Sequence, residues 1–203
     1  MPFGAHETME VHEALNEKIN VINHLALYTQ QTENEQLRQM MESHIYSAIQ
    51  SYDQLVSYTH DYNSGLERRQ AQGMVNVEPR NILYGLRHPE QQSPQMQGQL
   101  SDQQIAFALL LCHKNSAKNS MVSALECADP NIREMLLTSA NTCANEAYEV
   151  FLFMNQQGQY QVPTIQNHTA KTFLHSYQPA EQQDYSESPT PGLFNDTPDG
   201  IQQ

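Results

Sequence analysis

Apolar residues recur at helical spacing in four separate runs along the chain, and each run has its own start or stop signal. In the first, about residues 6–30, Val11, Leu15, Ile19, Ile22 and Ala26 make one stripe, with Val21, Leu25 and Tyr28 widening it. Glu7, Glu10 and Glu13 crowd its first two turns, where the helix dipole favours negative charge. The tetrapeptide QTEN (31–34) reads as a short turn, with Thr32 the N-cap candidate for a second run over about 33–61. There Leu37, Met41, His44, Ile45, Ala48, Tyr52, Leu55, Val56 and Thr59 share a face. The third run, about 101–128, opens with Ser101 and Gln104 at capping-box spacing. Ile105, Leu109, Cys112 and Ser116 form its line, and Phe107, Leu111, Met121 and Leu125 are expected to broaden the buried face. The fourth, about 130–157, begins at Asp129 as N-cap with Pro130 in the first turn. Ile132, Leu136, Ala140, Cys143, Ala147, Val150 and Met154 stay in register until Gly158 closes it.

Helices of this length span about 40 Å at 1.5 Å per residue. Runs one and two are joined by a few residues, as are three and four, so each pair is expected to be an antiparallel hairpin. Residues 62–100 lie between the pairs, with three prolines and no sustained period, and are long enough to run the length of the helices. Two hairpins joined by one long crossover is the all-α, ferritin-like four-helix bundle topology. Within the crossover, MVNVEPRNILYGL (74–86) carries enough apolar residues to pack along the helices. The domain is expected over 1–165, anchored at its end by QYQVP (159–163). Residues 166–203, rich in Pro and polar side chains, are expected to be a disordered tail.

Composition narrows the class of partner. The 203 residues carry 10 Lys+Arg against 23 Asp+Glu, a net charge of −13 that argues against nucleic acid, whose binding needs clustered cations. The longest apolar run, Ile105 to Cys112, is far shorter than a membrane span, so no membrane insertion is expected. The N-terminus has neither the basic nor the apolar segment of a signal peptide, which points to synthesis in the cytoplasm. The apolar fraction of 38% is low because 25 glutamines and the prolines gather largely in the crossover and tail, outside the helical stripes. Three cysteines, at 112, 127 and 143, make no disulfide framework.

Several segments resemble the spore coat protein F family of endospore-forming Firmicutes. They are the opening GAHETMEVHEALNEKINVINHLALY, the second-run SAIQSYDQLVSY, the crossover's NILYGL, the third-run start LSDQQIAFALLL, the turn ADPNIREML, and AYEVFLFMNQQGQYQVP. The resemblance covers roughly residues 4–165. It implies a ferritin-like bundle made in the mother-cell cytoplasm during sporulation and deposited in the spore coat. Other spore coat proteins and further copies of the chain are the partners it implies, and no enzymatic role.

The residues themselves point to no catalytic or cofactor-binding constellation, and no small-molecule substrate is evident. A ferritin-type dinuclear centre needs inward glutamates on two helices and Glu-x-x-His on the other two. Glu42 and His44 are two apart, about 200° around the helix, while Glu146-x-x-Glu149 lacks a histidine and Glu126 stands near a helix end. No metal centre or cofactor is therefore expected. His6, Glu10 and Glu13, at i, i+4 and i+7, are the only metal candidates, and an acidic first turn complementing the dipole explains them as well. His24 and His44 are expected to meet across the first hairpin, and His113 is set aside because Lys114 and Lys118 are its sequence neighbours. The cysteines read as small core residues, with Cys112 and Cys143 at similar heights across the second hairpin. Gln-rich segments with Tyr160, Tyr177 and Tyr185, and the acceptor lysines Lys18, Lys114, Lys118 and Lys171, offer chemistry for cross-linking.

Overall fold

Serine, aspartate and asparagine set the starts of three of the long helices, as capping chemistry dictates. The computed structural model describes residues 4–60, 79–87 and 98–179. Among them are five α-helices, α1 (Ala5–Gln31), α2 (Glu35–His60), α3 (Asp102–Glu126), α4 (Pro130–Gln156) and α5 (Asn167–Leu174), a 3-10 turn at Pro79–Asn81, and no β-strand. Ser101 accepts from the Gln104 amide and Gln104 returns the bond to the Ser101 amide, so the capping box forms. Asp129 accepts from the Asn131 and Ile132 amides ahead of α4. At α2 the cap is Asn34, whose Oδ1 accepts from the Leu37 amide. Thr32 instead ends α1, and its hydroxyl donates to Asp102 at the start of α3 over 2.5 Å.

Residues 4–164 form one unit. In it α1 packs beside α2 and α3, and α4 beside α3 and α2, so both expected hairpins are present. The core has two apolar regions. One gathers Val21, Leu25, Leu37, Met41, Ile105, Leu109, Val150, Phe153 and Met154, and the other Val11, Ala14, Leu55, Tyr58, Ala124, Ile132 and Leu136. Both draw on all four long helices.

Buried Glu7 ties one end together. Its Oε1 accepts from the Asp129 amide at 2.7 Å, while the Tyr58 hydroxyl donates to Asp129 Oδ2 at 2.7 Å. At the other end Asn155, 1% exposed, accepts from the Leu83 amide and donates to the Leu83 and Tyr160 carbonyls. Gly85, at φ +98°, donates its amide to the Val162 carbonyl, a conformation that a side chain would strain. The chain thus leaves α2 near the start of α4 and re-enters the described structure at the far end of α4. Most of the expected crossover, 61–78 and 88–97, lies outside the described residues.

Two stripes differ from expectation. On α1 the inward line is Glu7, Val11, Ala14, Val21 and Leu25, while Ile19 is exposed: the widening residues face the core. On α3, Phe107, Leu111, Met121 and Leu125 do not broaden the core but are exposed at 41%, 45%, 41% and 69%. The buried face instead carries His113, Ser116, Ser120, Ser123 and Ala124. That face continues the line of Ile105, Leu109 and Leu110 and meets α1, where Ser116 donates to Glu17 and Ser123 to Glu10. The second unit contains α5, which lies where composition predicts disorder. No Pro or Gly interrupts residues 164–178, so a helical turn can propagate there, but none of its residues is buried. Residues 180–203 lie outside the described residues, and Tyr185 with them.

Candidate functional site

Between and beside the two apolar regions lies a belt of polar side chains, of which His44, His113, Ser116, Ser123, Ser139 and Glu146 are buried. Along the α1–α3 seam, Glu17 Oε1 accepts from Ser116 Oγ at 2.9 Å and Asn119 Nδ2 at 3.2 Å, and Glu10 Oε2 accepts from Ser123 Oγ at 2.6 Å. Lys18 reaches α4, donating from Nζ to Ser139 Oγ at 2.7 Å. Burial pushes the Lys18 ammonium below its usual range, opposed by Cys143, Glu17 and Glu146.

At the heart of the belt, α2, α3 and α4 build a relay. His44 Nε2 lies 3.2 Å from Glu149 Oε2, and His44 Nδ1 lies 3.0 Å from His113 Nε2. The hydrogen bond from His44 holds the Glu149 carboxyl below the usual range, against the effect of burial. An ionised Glu149 only accepts, so His44 donates to it from Nε2. His113 turns Nε2 to His44 and its other ring nitrogen, Nδ1, to α4. That nitrogen stands 3.1 Å from Glu146 Oε2, yet it makes no hydrogen bond, and neither does the buried Glu146 Oε1. Two buried polar atoms, one on each residue, are thus left without a hydrogen bond at this spot.

Cys143, one helical turn before Glu146, completes the cluster. A ligand atom from each of His113, Cys143 and Glu146 lies within 4.8 Å of the other two. Burial pushes the Cys143 thiol up to about 12, helped by Glu146 and opposed by Lys18. Among the described residues this is the one group of three such side chains close enough to hold a metal ion.

The residues singled out from sequence fall elsewhere. His6 is exposed and meets Glu126 at 3.5 Å, Glu10 is taken by Ser123, and Glu13 is exposed, so the three do not converge. Glu42 is exposed. His24 does not meet His44: it lies exposed and stacks on Tyr28, because its side of α1 faces solvent. His113 takes that place and is 2% exposed. Lys114 and Lys118 are no obstacle to it, since they sit on the exposed face of α3, about 100° and 140° around the helix. The signal that could have found His113 was its spacing from Leu109 and Leu110, at i+4 and i+3, on the face that also holds Ser116 and Ser120. Cys112, Cys127 and Cys143 are free thiols, each half-buried.

Residues 101–163 match the Coat F domain, which spans α3, α4 and the segment that clamps Leu83. The chain is also 24% identical, over 89% of its length and 82% of the other's, to the spore coat protein F-like protein YhcQ of Bacillus subtilis. No solved structure matches. The matched segment contains His113, Cys143, Glu146 and Glu149, while His44 comes from a helix outside it. Among the described residues no helix is long and apolar enough to cross a membrane.

Proposed function

We propose that this chain is a non-enzymatic structural component of the spore coat, a ferritin-like four-helix bundle that assembles with other coat proteins and with further copies of itself. The Coat F domain over residues 101–163 carries the proposal, and the relative aligned over 89% of the chain supports extending it to the remaining helices. Two hairpins around a shared core, with the chain crossing from one end of α4 to the other between them, support the ferritin-like reading. Synthesis in the mother-cell cytoplasm and deposition on the forespore complete it.

The uncovered face of α3 supports assembly. Phe107, Leu111, Met121, Val122 and Leu125 present apolar surface beside the exposed Lys114 and Lys118, on a chain with few cations. The exposed Tyr177 and the surface glutamines supply groups for later cross-linking.

A fluorescent fusion followed through growth and sporulation tests the proposal. The expected result is no signal in growing cells and a shell around the forespore. Uniform signal during growth, with none at the forespore, would overturn it.

A further inference from the structure

We infer that His113, Cys143 and Glu146 form a mononuclear site for a thiophilic divalent cation of the zinc type. The inference stands independently of the coat assignment.

The first support is the orphaned pair. His113 Nδ1 and Glu146 Oε1 are buried without a hydrogen bond, which is costly in a low-dielectric interior, and Glu146 Oε2 stands 3.1 Å from the same nitrogen. Two donors bound to one tetrahedral zinc at about 2.0–2.1 Å stand roughly 3.3 Å apart, so the pair is already near ligand spacing. The second support is the outer shell. His113 Nδ1 is aimed at Glu146 because its Nε2 is held by His44, which is held in turn by Glu149. A metal-ligating histidine ordinarily has its other ring nitrogen fixed in this way. The donor set supplies the third. One sulfur, one imidazole nitrogen and one carboxylate oxygen suit zinc or a similar borderline metal, not magnesium or calcium, which take oxygen. Binding replaces the Cys143 thiol proton, which leaves to solvent as the sulfur–metal bond forms. Thiolate and carboxylate together then cancel the charge of a divalent ion, which keeps the buried cluster neutral beside Lys18. Three protein ligands leave a fourth coordination position open.

The test uses the full chain, stripped with a chelator and titrated with Zn²⁺ against a chromophoric competitor, with Co²⁺ as a spectroscopic reporter. The expected result is one ion per chain, a thiolate-to-cobalt charge-transfer band, and release of about one proton per Zn²⁺ at neutral pH. Cys143→Ser should abolish the band, and both Cys143→Ser and Glu146→Gln should weaken Zn²⁺ binding at least tenfold. His44→Gln should weaken binding by about 10- to 100-fold while keeping the band, as loss of an outer-shell partner does. Cys112→Ser should change neither. Helical circular dichroism shows which variants remain folded, and proton release by the unaltered chain reports on the thiol without any substitution. The inference is overturned if no ion binds, if binding releases no proton, or if folded Cys143→Ser and Glu146→Gln bind Zn²⁺ as tightly as the parent chain.

Discussion

His44 and His113 meet across the diagonal between α2 and α3, with Nδ1 of one 3.0 Å from Nε2 of the other and the rings at 88°. Both are buried, and the pair links the first hairpin to the second, the one that matches the Coat F domain. Removing one ring leaves the other with a buried, unsatisfied nitrogen. His44→Ala is therefore expected to destabilise the fold by about 1–3 kcal/mol. Urea unfolding followed by circular dichroism checks this, and an unchanged midpoint would contradict the buried contact.

Glu7 joins the first turn of α1 to the first turn of α4 through the Asp129 amide. It occupies a position that an apolar residue would ordinarily fill, so its carboxylate is there for hydrogen bonding. Glu7→Ala is expected to cost about 1.5–3 kcal/mol, the range for a bond to a charged group. Glu13→Ala, on the exposed side of the same helix, should stay within about 0.5 kcal/mol. The difference between the two denaturation midpoints is the measurement.

The helices themselves were legible in the sequence because caps and breakers act locally. Ser101 with Gln104, and Asp129 with Pro130, specify their helix starts through their own side chains and backbone. The buried site was less legible because burial depends on a neighbouring helix that periodicity does not name. Leu111 and Leu125 look like core residues, but the face of α3 turned inward is the serine face, which meets Glu10 and Glu17 on α1. His113 goes in with that face. The Glu146-x-x-Glu149 spacing was visible, yet its histidine partners come from α2 and α3 and no local motif contains them.

The cysteines give a pH signature. Burial pushes Cys112 and Cys127 up to about 11, helped by nearby carboxylates, Glu17 and Glu146 for the first and Glu7 and Glu10 for the second. A thiol whose pKa is raised on folding contributes stability that is fully present below its ordinary value of 9.0 and is lost as pH rises through about 11. Thermal midpoints should therefore fall as pH rises from about 9 towards 11, through these groups. At pH 8 the native thiols should also react far more slowly with iodoacetamide than those of the chain in denaturant. Equal rates would contradict this.

Asn155 holds the returning segment through three hydrogen bonds, two with Leu83 and one with Tyr160. Asn155→Leu keeps the size and removes all three. Hydrogen exchange should then speed up at the Leu83 and Gly85 amides while the middle of α4 stays protected. Uniform loss of protection across all four long helices would show instead that Asn155 supports the whole core.

The exposed apolar face of α3 should matter for association more than for folding. Leu125→Lys, at 69% exposure, is expected to leave the unfolding midpoint within about 0.5 kcal/mol of the parent and to reduce self-association in sedimentation experiments. A large loss of stability would mean that this face is covered within the molecule.

Fractionation of purified spores distinguishes a coat component from a protein of the spore interior. Coat proteins are extracted from intact spores, the decoated spores are then broken, and both fractions are probed with an antibody to the chain. The chain is expected in the coat extract and absent from the decoated lysate. Recovery from the decoated lysate alone would contradict it.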